Sequence, residues 1–217
     1  MIFGKSSLNK INKNILKYFD VRPPIKRNDL NEFFYEKNYT NCILICDGLF
    51  GQELSVTIEE CYKVLENPNN VLMGSSCIGA LRAVDCYQQG MMGIGNVFMG
   101  YHLGFYQSDS YVANLYNDEF QEEFIYSYVH IDYIVQYLIK KNNFTFLHYK
   151  KIMQEIDFIY WEKRTIEVVF SILKKYFLKL ESDAVKKIFT DKDLNPKLLD
   201  AEMAVDYIFK YYLKGVL

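Results

Sequence analysis

Hydrophobic and polar positions divide the first ninety residues into short alternating segments. Apolar residues at Leu8, Ile11, Ile15, Leu16 and Phe19 recur at helical spacing, which predicts a helix within 8–19. Pro23-Pro24 stops it and imposes an extended stretch, and Asp29 is placed to N-cap a helix over 29–36. The run 42–46, Cys-Ile-Leu-Ile-Cys, lies between Asn41 and Asp47-Gly48 and predicts a buried strand with Cys42 and Cys46 on one face. Ser55 or Thr57 can cap a helix ending near Leu65, with Glu59 and Glu60 in its first turn where the helix dipole favours acids. Pro68-Asn69-Asn70 breaks the chain, and Val71-Leu72-Met73 predicts a second buried strand. A turn of small residues, Gly74-Ser75-Ser76-Cys77-Ile78-Gly79, leads from it into a helix over about 80–88. Ile2-Phe3 is too short to assign from pattern alone, although Gly4-Lys5-Ser6-Ser7 follows it as a turn.

Strand, helix, strand, helix in this order implies a small parallel sheet with right-handed crossovers. Strand signals fade after Gly90, while 120–141, 144–159, 163–180 and 200–213 carry helical periodicity. The expected fold class is therefore α/β, with a small parallel sheet and crossover helices in the N-terminal half and a helical C-terminal half. No linker composition separates the halves, so one domain over 1–217 is expected, with an α/β portion at about 1–105 and a helical portion at about 106–217.

Composition narrows the function. Lys plus Arg number 25 and Asp plus Glu 27, a net charge of −2 that gives no global field for gathering nucleic-acid phosphates. Half of the residues are apolar, enough for a sizeable core and unlike a disordered chain. The 19 Tyr and 16 Phe accompany abundant Lys, Asn and Ile, a bias that AT-rich coding produces, and are read as composition before they are read as an interface. No apolar run is long enough for a membrane span, and 1–19 lacks the apolar stretch of a secretion signal, so a cytoplasmic protein is expected. The five cysteines include no Cys-x-x-Cys pair, and neither a metal site nor an organic cofactor is indicated.

Ligands of parallel sheets bind beyond the carboxyl ends of the strands. Two turns fall there, Asp47-Gly48 and 74–79. The second can direct backbone N–H groups at an anion or an oxyanion. Cys77 has Ser75 two residues before it and Gly79 two after, the small flanks of a nucleophile elbow, although the full Gly-x-Ser-x-Gly pattern is absent. The alternative is that Ser76 and Cys77 only cap and pack the helix. His102, His130 and His148 form no motif, which leaves a lysine as the candidate base. Lys26, fixed behind Pro23-Pro24, is that candidate, or else a solvated charge. Arg82 can grip a carboxylate or phosphate, or form a salt bridge with Asp85 or Asp47. Gly90, Gly93 and Gly95 do not make a dinucleotide loop, because Phe98 stands where the third glycine belongs; they read as a helix cap and a connection.

Together these segments resemble the TfuA family. Gly79-Ala80-Leu81-Arg82-Ala83 followed by Gly90-Met91 and Gly93-Ile94-Gly95 is similar to its SMGALRA and GM.G.G patterns. Pro23-Pro24-Ile25-Lys26-Arg27 with Asp29-Leu30 is similar to PPIKRGDL, and Ile45-Cys46-Asp47-Gly48-Leu49-Phe50 to IDG.F. Ile2-Phe3-Gly4 with Ser6-Ser7-Leu8, Trp161-Glu162-Lys163-Arg164-Thr165, and Lys197 with Asp200-Ala201 are weaker echoes. The resemblance implies an accessory protein for YcaO-dependent thioamidation of peptide backbones. It would hydrolyse the thiocarboxylate of a ThiS-like sulfur carrier through a Ser–Lys pair, release sulfide, and help the YcaO enzyme engage its precursor peptide.

Carried over by position, Lys26 matches the lysine, and the serine of SMGALRA falls on Cys77, with Ser76 one place earlier. The elbow spacing favours Cys77 as the nucleophile, with Ser76 as the alternative. Arg27, Asp29, Asp47, Gly48, Gly79, Arg82 and Asp109 are the expected substrate-binding positions. The family's acidic DDEVA segment keeps only Asp109, Val112 and Ala113 here, and its SEPLVNIR-like stretch has largely gone from 126–131. These departures keep a second expectation in view, a non-catalytic adaptor that binds a YcaO enzyme.

Overall fold

The computed structural model describes residues 1–35, 41–51, 53–117 and 122–213. Its contacts divide the chain into two compact units, Met1–Gln107 with Lys197–Leu217, and Ser108–Pro196.

The first unit is built on a five-stranded parallel sheet of β1 (Ile2–Phe3), β2 (Val21–Arg22), β3 (Asn41–Ile45), β4 (Asn70–Ser75) and β5 (Met92–Ile94), in the order β2-β1-β3-β4-β5. Central β3 pairs with β4 from Asn41↔Asn70 to Ile45↔Gly74, so the predicted strands at 42–46 and 71–73 are neighbours. Cys42 and Cys46 both pack into the same apolar cluster, as their even spacing requires. β1, too short to predict, is held between β2 and β3 by its register, Ile2↔Leu44 and Phe3↔Ile45. A strand also lies where the glycines of 90–95 were expected to form only a connection. Gly90 does end a helical turn with φ +100°, but Met92–Ile94 then pairs with β4. Three residues carry no readable period, and pairing to a neighbour decides their conformation.

The helices of this unit are α1 (Lys13–Leu16), α2 (Ile58–Leu65), α3 (Ile78–Asp85) and α4 (Asn96–His102). The helix expected across 8–19 is only the four-residue α1 plus a 3-10 turn at Ser6–Leu8. Its apolar positions nonetheless point to one side, since Leu8, Ile11, Ile15, Leu16 and Phe19 all pack in one core. The helix expected at 29–36 is a 3-10 turn at Asn31–Phe33, and positions 36–40 lie outside the described residues. α2 begins with a full capping box: Thr57 Oγ1 accepts the Glu60 N–H at 3.1 Å, and the Glu60 carboxylate accepts the Thr57 N–H at 2.8 Å.

The second unit pairs β6 (Leu115–Asn117) with β7 (Glu122–Ile125) in an antiparallel ribbon, followed by α5 (Tyr128–Lys141), α6 (Phe146–Asp157), α7 (Ile166–Tyr176) and α8 (Ser182–Thr190). The segment expected as helix over 120–141 is thus strand up to Ile125. Its residues 120 and 121 lie outside the described residues. α8 has only two fully buried apolar side chains, Val185 and Phe189, too few to mark it in the sequence. The helical core runs through Ile131, Ile134, Ile152, Ile156, Val169 and Leu173.

The chain then returns to the first unit in α9 (Pro196–Ile208), whose Ala201, Ala204, Val205 and Ile208 pack with Ile2, Leu44, Cys46 and Met73. No described helix is long and apolar enough to cross a membrane.

Candidate functional site

Chemistry in the first unit gathers where β4 runs into α3. β4 ends at Ser75. Ser76 then adopts φ +67°, Cys77 has φ −112° and ψ −115°, and α3 starts at Ile78. A left-handed serine between a strand and a helix costs about 1–3 kcal/mol and persists only where the surroundings impose it. Close packing imposes it here. A Cβ on Gly79 would lie 1.8 Å from the Ile45 carbonyl oxygen, so only glycine lets α3 come this near β3. The apex of the turn is therefore Ser76, with Cys77 one step beyond it as the residue preceding the helix.

Both residues are enclosed. Ser76 is 0% exposed and Cys77 4%. The Ser76 hydroxyl donates to the Lys197 carbonyl at 2.8 Å, and the Cys46 thiol lies within hydrogen-bonding reach of the same hydroxyl. Burial pushes the Cys46 thiol well up, with Asp47 adding to the shift and the Ser76 contact opposing it, so Cys46 is a thiol and not a thiolate near neutrality. The amides expected to serve an oxyanion are partly committed. Cys77 N–H donates to the carbonyls of Cys46 (3.2 Å) and Ser75 (3.0 Å), and Gly79 N–H reaches the Cys46 carbonyl at 3.4 Å.

The turn after β3 is just as closely bound. Asp47 accepts the Lys5 N–H at 2.7 Å, the Ser7 N–H at 3.0 Å and the Ser7 hydroxyl at 2.5 Å, which fastens the loop after β1 to the end of β3. Gly48 bridges to Ile25, and a Cβ on it would meet Ile78 Cγ2 at 2.2 Å. Asp47 and Gly48 thus hold together the end of the sheet on which the Ser76 turn stands.

The remaining expected residues fall elsewhere. Lys26 is exposed; its backbone N–H donates to Asp29 at 2.9 Å, and its ammonium has no hydrogen-bond or ion-pair partner among the described residues. Arg27 is also exposed, with its N–H on the Leu54 carbonyl. Arg82 takes the structural alternative: Nε donates to the Val56 carbonyl at 2.8 Å and Nη1 pairs with Asp85 at 2.5 Å. Asp109 is exposed in the second unit at the start of a 3-10 turn, Asp109–Tyr111.

Two residues noted only as faint motif echoes belong to the site. Lys197 is 2% exposed and Asp200 0%, both on the first turns of α9. Asp200 Oδ1 accepts the Asn96 N–H at 2.8 Å and Oδ2 the Val97 N–H at 2.7 Å, closing the start of α4. Burial outweighs these two bonds and pushes its carboxyl up to about 6. The available signal was two charged residues, three apart, in the otherwise apolar run Leu198-Leu199-Ala201.

The second unit holds a separate cavity of about 360 Å³, lined by Ser108, Ser110, Tyr111, Asp157, Trp161 and Arg164 among others. Tyr111 donates to Asp157 at 2.6 Å, and its phenol, chiefly through burial, is pushed up to about 12.

A parallel sheet with a strained serine at the junction of strand and helix defines an α/β protein whose candidate chemistry sits at the carboxyl edge of the sheet. Residues 47–165, more than half of the chain, match the family model described as TfuA-like protein, and the chain belongs to that family. The match spans Asp47, Gly48, the Ser76 turn, Arg82 and Asp109. It leaves Lys26, Arg27, Asp29, Lys197 and Asp200 outside. No curated protein matches the chain.

Proposed function

We propose that this protein hydrolyses the thiocarboxylate of a ThiS-like sulfur carrier and supplies the sulfide to a YcaO-family enzyme that thioamidates a precursor peptide. Membership of the TfuA-like family is consistent with an accessory role in thioamidation. The observation that carries the hydrolytic reading is the left-handed backbone of Ser76 at the β4–α3 junction, the strained turn that presents a nucleophile in hydrolases of parallel-sheet build.

In this reading Ser76 Oγ attacks the thiocarboxylate carbonyl. The C–S bond breaks, sulfide leaves with the hydroxyl proton, and an ester on Ser76 remains. Water then cleaves the ester, giving the carboxylate and restoring the hydroxyl. In all, one water is consumed and one sulfide released. Cys77 is the competing nucleophile. Two lysines compete as base. Lys26 is supported by the motif, while Lys197 is supported by its place in the buried cluster, where the same residue's carbonyl accepts the Ser76 hydroxyl. Lys26 and Arg27, which are exposed, and the half-buried Asp29 beside them are proposed to meet the carrier, and Asp109 a protein partner.

The test is sulfide release from a thiocarboxylated ThiS-like carrier. Ser76→Ala is expected to reduce release at least 100-fold and Cys77→Ala to retain it within a few-fold; the reverse pattern transfers the role to the thiol. Lys26→Ala and Lys197→Met, compared on the same carrier, identify the base. A second reading, a non-catalytic adaptor for the YcaO enzyme, is favoured by one observation: the Ser76 hydroxyl is enclosed and spent on a carbonyl. Absence of release by the folded wild type, with retained YcaO binding, would decide for it.

A further inference from the structure

The covering of Ser76 has an unusual make-up. The first turn of α9 is joined to the rest of its unit by polar ties: the Ser76 hydroxyl on the Lys197 carbonyl, and the Asp200 carboxylate on the amides of Asn96 and Val97. Within that turn Leu198 and Leu199 are only half-buried, and the fully buried apolar positions of the helix run from Ala201 through Ala204, Val205 and Ile208. The turn therefore has hydrogen bonds at its free end and an apolar anchor behind them. Lifting it would break the hydrogen bonds to Ser76, Asn96 and Val97, but it would return the buried Asp200 carboxylate to water, and hydration of such a group is strongly favourable. The apolar face beyond Ala201 could stay in place.

In the closed arrangement Ser76 is unproductive. Its proton points at a carbonyl, which is no base, and no surface of Ser75 or Ser76 is open to a carrier-borne acyl group. We propose that the first turn of α9, Lys197 to Asp200, is a displaceable cover over the Ser76–Cys77 turn, latched to the start of α4 by Asp200, and that an acyl substrate reaches Ser76 only when this cover lifts. The turn directly follows Pro196, where the chain passes from the second unit back into the first. This inference rests on the reading of Ser76 as the reacting group.

Its test needs no turnover, so failure of the cover and failure of the hydrolase reading are separate results. Cys46 and Cys77 lie at the covered site. Cys61 in α2 and Cys86 after α3 are buried in the same unit, hydrogen-bonded to each other, and serve as internal controls. The full chain is treated with N-ethylmaleimide and each cysteine is followed by peptide mass spectrometry. Asp200→Ala is expected to speed labelling of Cys46 and Cys77 tenfold or more, while Cys61 and Cys86 stay within twofold. Unchanged rates at Cys46 and Cys77, or equal acceleration at all four, would overturn the latch. The wild-type chain gives a second reading that depends on no variant's folding. Labelling of Cys77 through a local opening is expected to be nearly flat in low urea, whereas that of Cys61 and Cys86 rises with global unfolding. Equal urea dependence at all three sites rules out the cover.

Discussion

Replacing Asp200 with asparagine should change how the stability of the first unit depends on pH. In the folded chain this carboxyl sits at about 6, raised from 3.8 by burial that two backbone hydrogen bonds do not offset. The folded state thus holds the proton more tightly than the unfolded one. Stability from this group is fully present below the unfolded value of 3.8 and is lost as pH rises through the folded value of about 6. A shift of this size corresponds to about 3 kcal/mol over the whole titration, and to about 2 kcal/mol between pH 4.5 and 7.5. Asparagine keeps the shape and one acceptor oxygen but does not titrate. The free-energy difference between wild type and Asp200→Asn should therefore move by about 2 kcal/mol in favour of the wild type when pH is lowered from 7.5 to 4.5. Titrations shared by both chains cancel in this difference. Urea unfolding should be read by reaction of Cys61 and Cys86 with a pyridyl disulfide, which works in weak acid and reports the first unit alone. Fluorescence of Trp161, the only tryptophan, follows the second unit in the same samples. A difference constant within about 0.5 kcal/mol across this range would refute the argument that burial dominates at Asp200.

Gly79→Ala would put a methyl group 1.8 Å from the Ile45 carbonyl oxygen; it is expected to destabilise the first unit by about 3 kcal/mol or more, seen as a lower urea midpoint for Cys61 and Cys86 with Trp161 unaffected. Thr57→Ala removes half of the capping box of α2 and should cost about 1 kcal/mol in the same assay, with no change in sulfide release.

The sequence made the framework legible wherever a segment was long enough to carry a period or a cap. The strands at 42–46 and 71–73, the Thr57 cap and the turn between β4 and α3 were all readable. Ile2–Phe3 and Met92–Ile94 were not, because two or three residues become strand only through pairing with neighbours distant in sequence. The site was legible as a place more than as a set of residues. Small residues around 74–79 marked the turn, but its apex depends on a backbone angle at Ser76 that no residue type announces. Lys26 was conspicuous behind two prolines, yet it is exposed, while the Lys197 carbonyl reaches the buried turn, and Asp200 the start of α4, from more than a hundred residues away. Arg82 shows the opposite case, a conspicuous cation whose nearest needs, the Val56 carbonyl and Asp85, already occupy it.

The path of the chain also sets an order of assembly. Every strand of the parallel sheet is synthesised before residue 95, but the helix that covers Ile2, Leu44 and Met73 follows the whole of Ser108–Pro196. On the ribosome the sheet must wait with that apolar face bare while the helical unit emerges and folds ahead of it. Nascent chains of this kind are exposed to aggregation and call on chaperones during the interval. A chain stopped just before α9 would lose far more than a terminal helix: its sheet would keep an uncovered core, and Ser76 would have neither its cover nor the carbonyl that now restrains it.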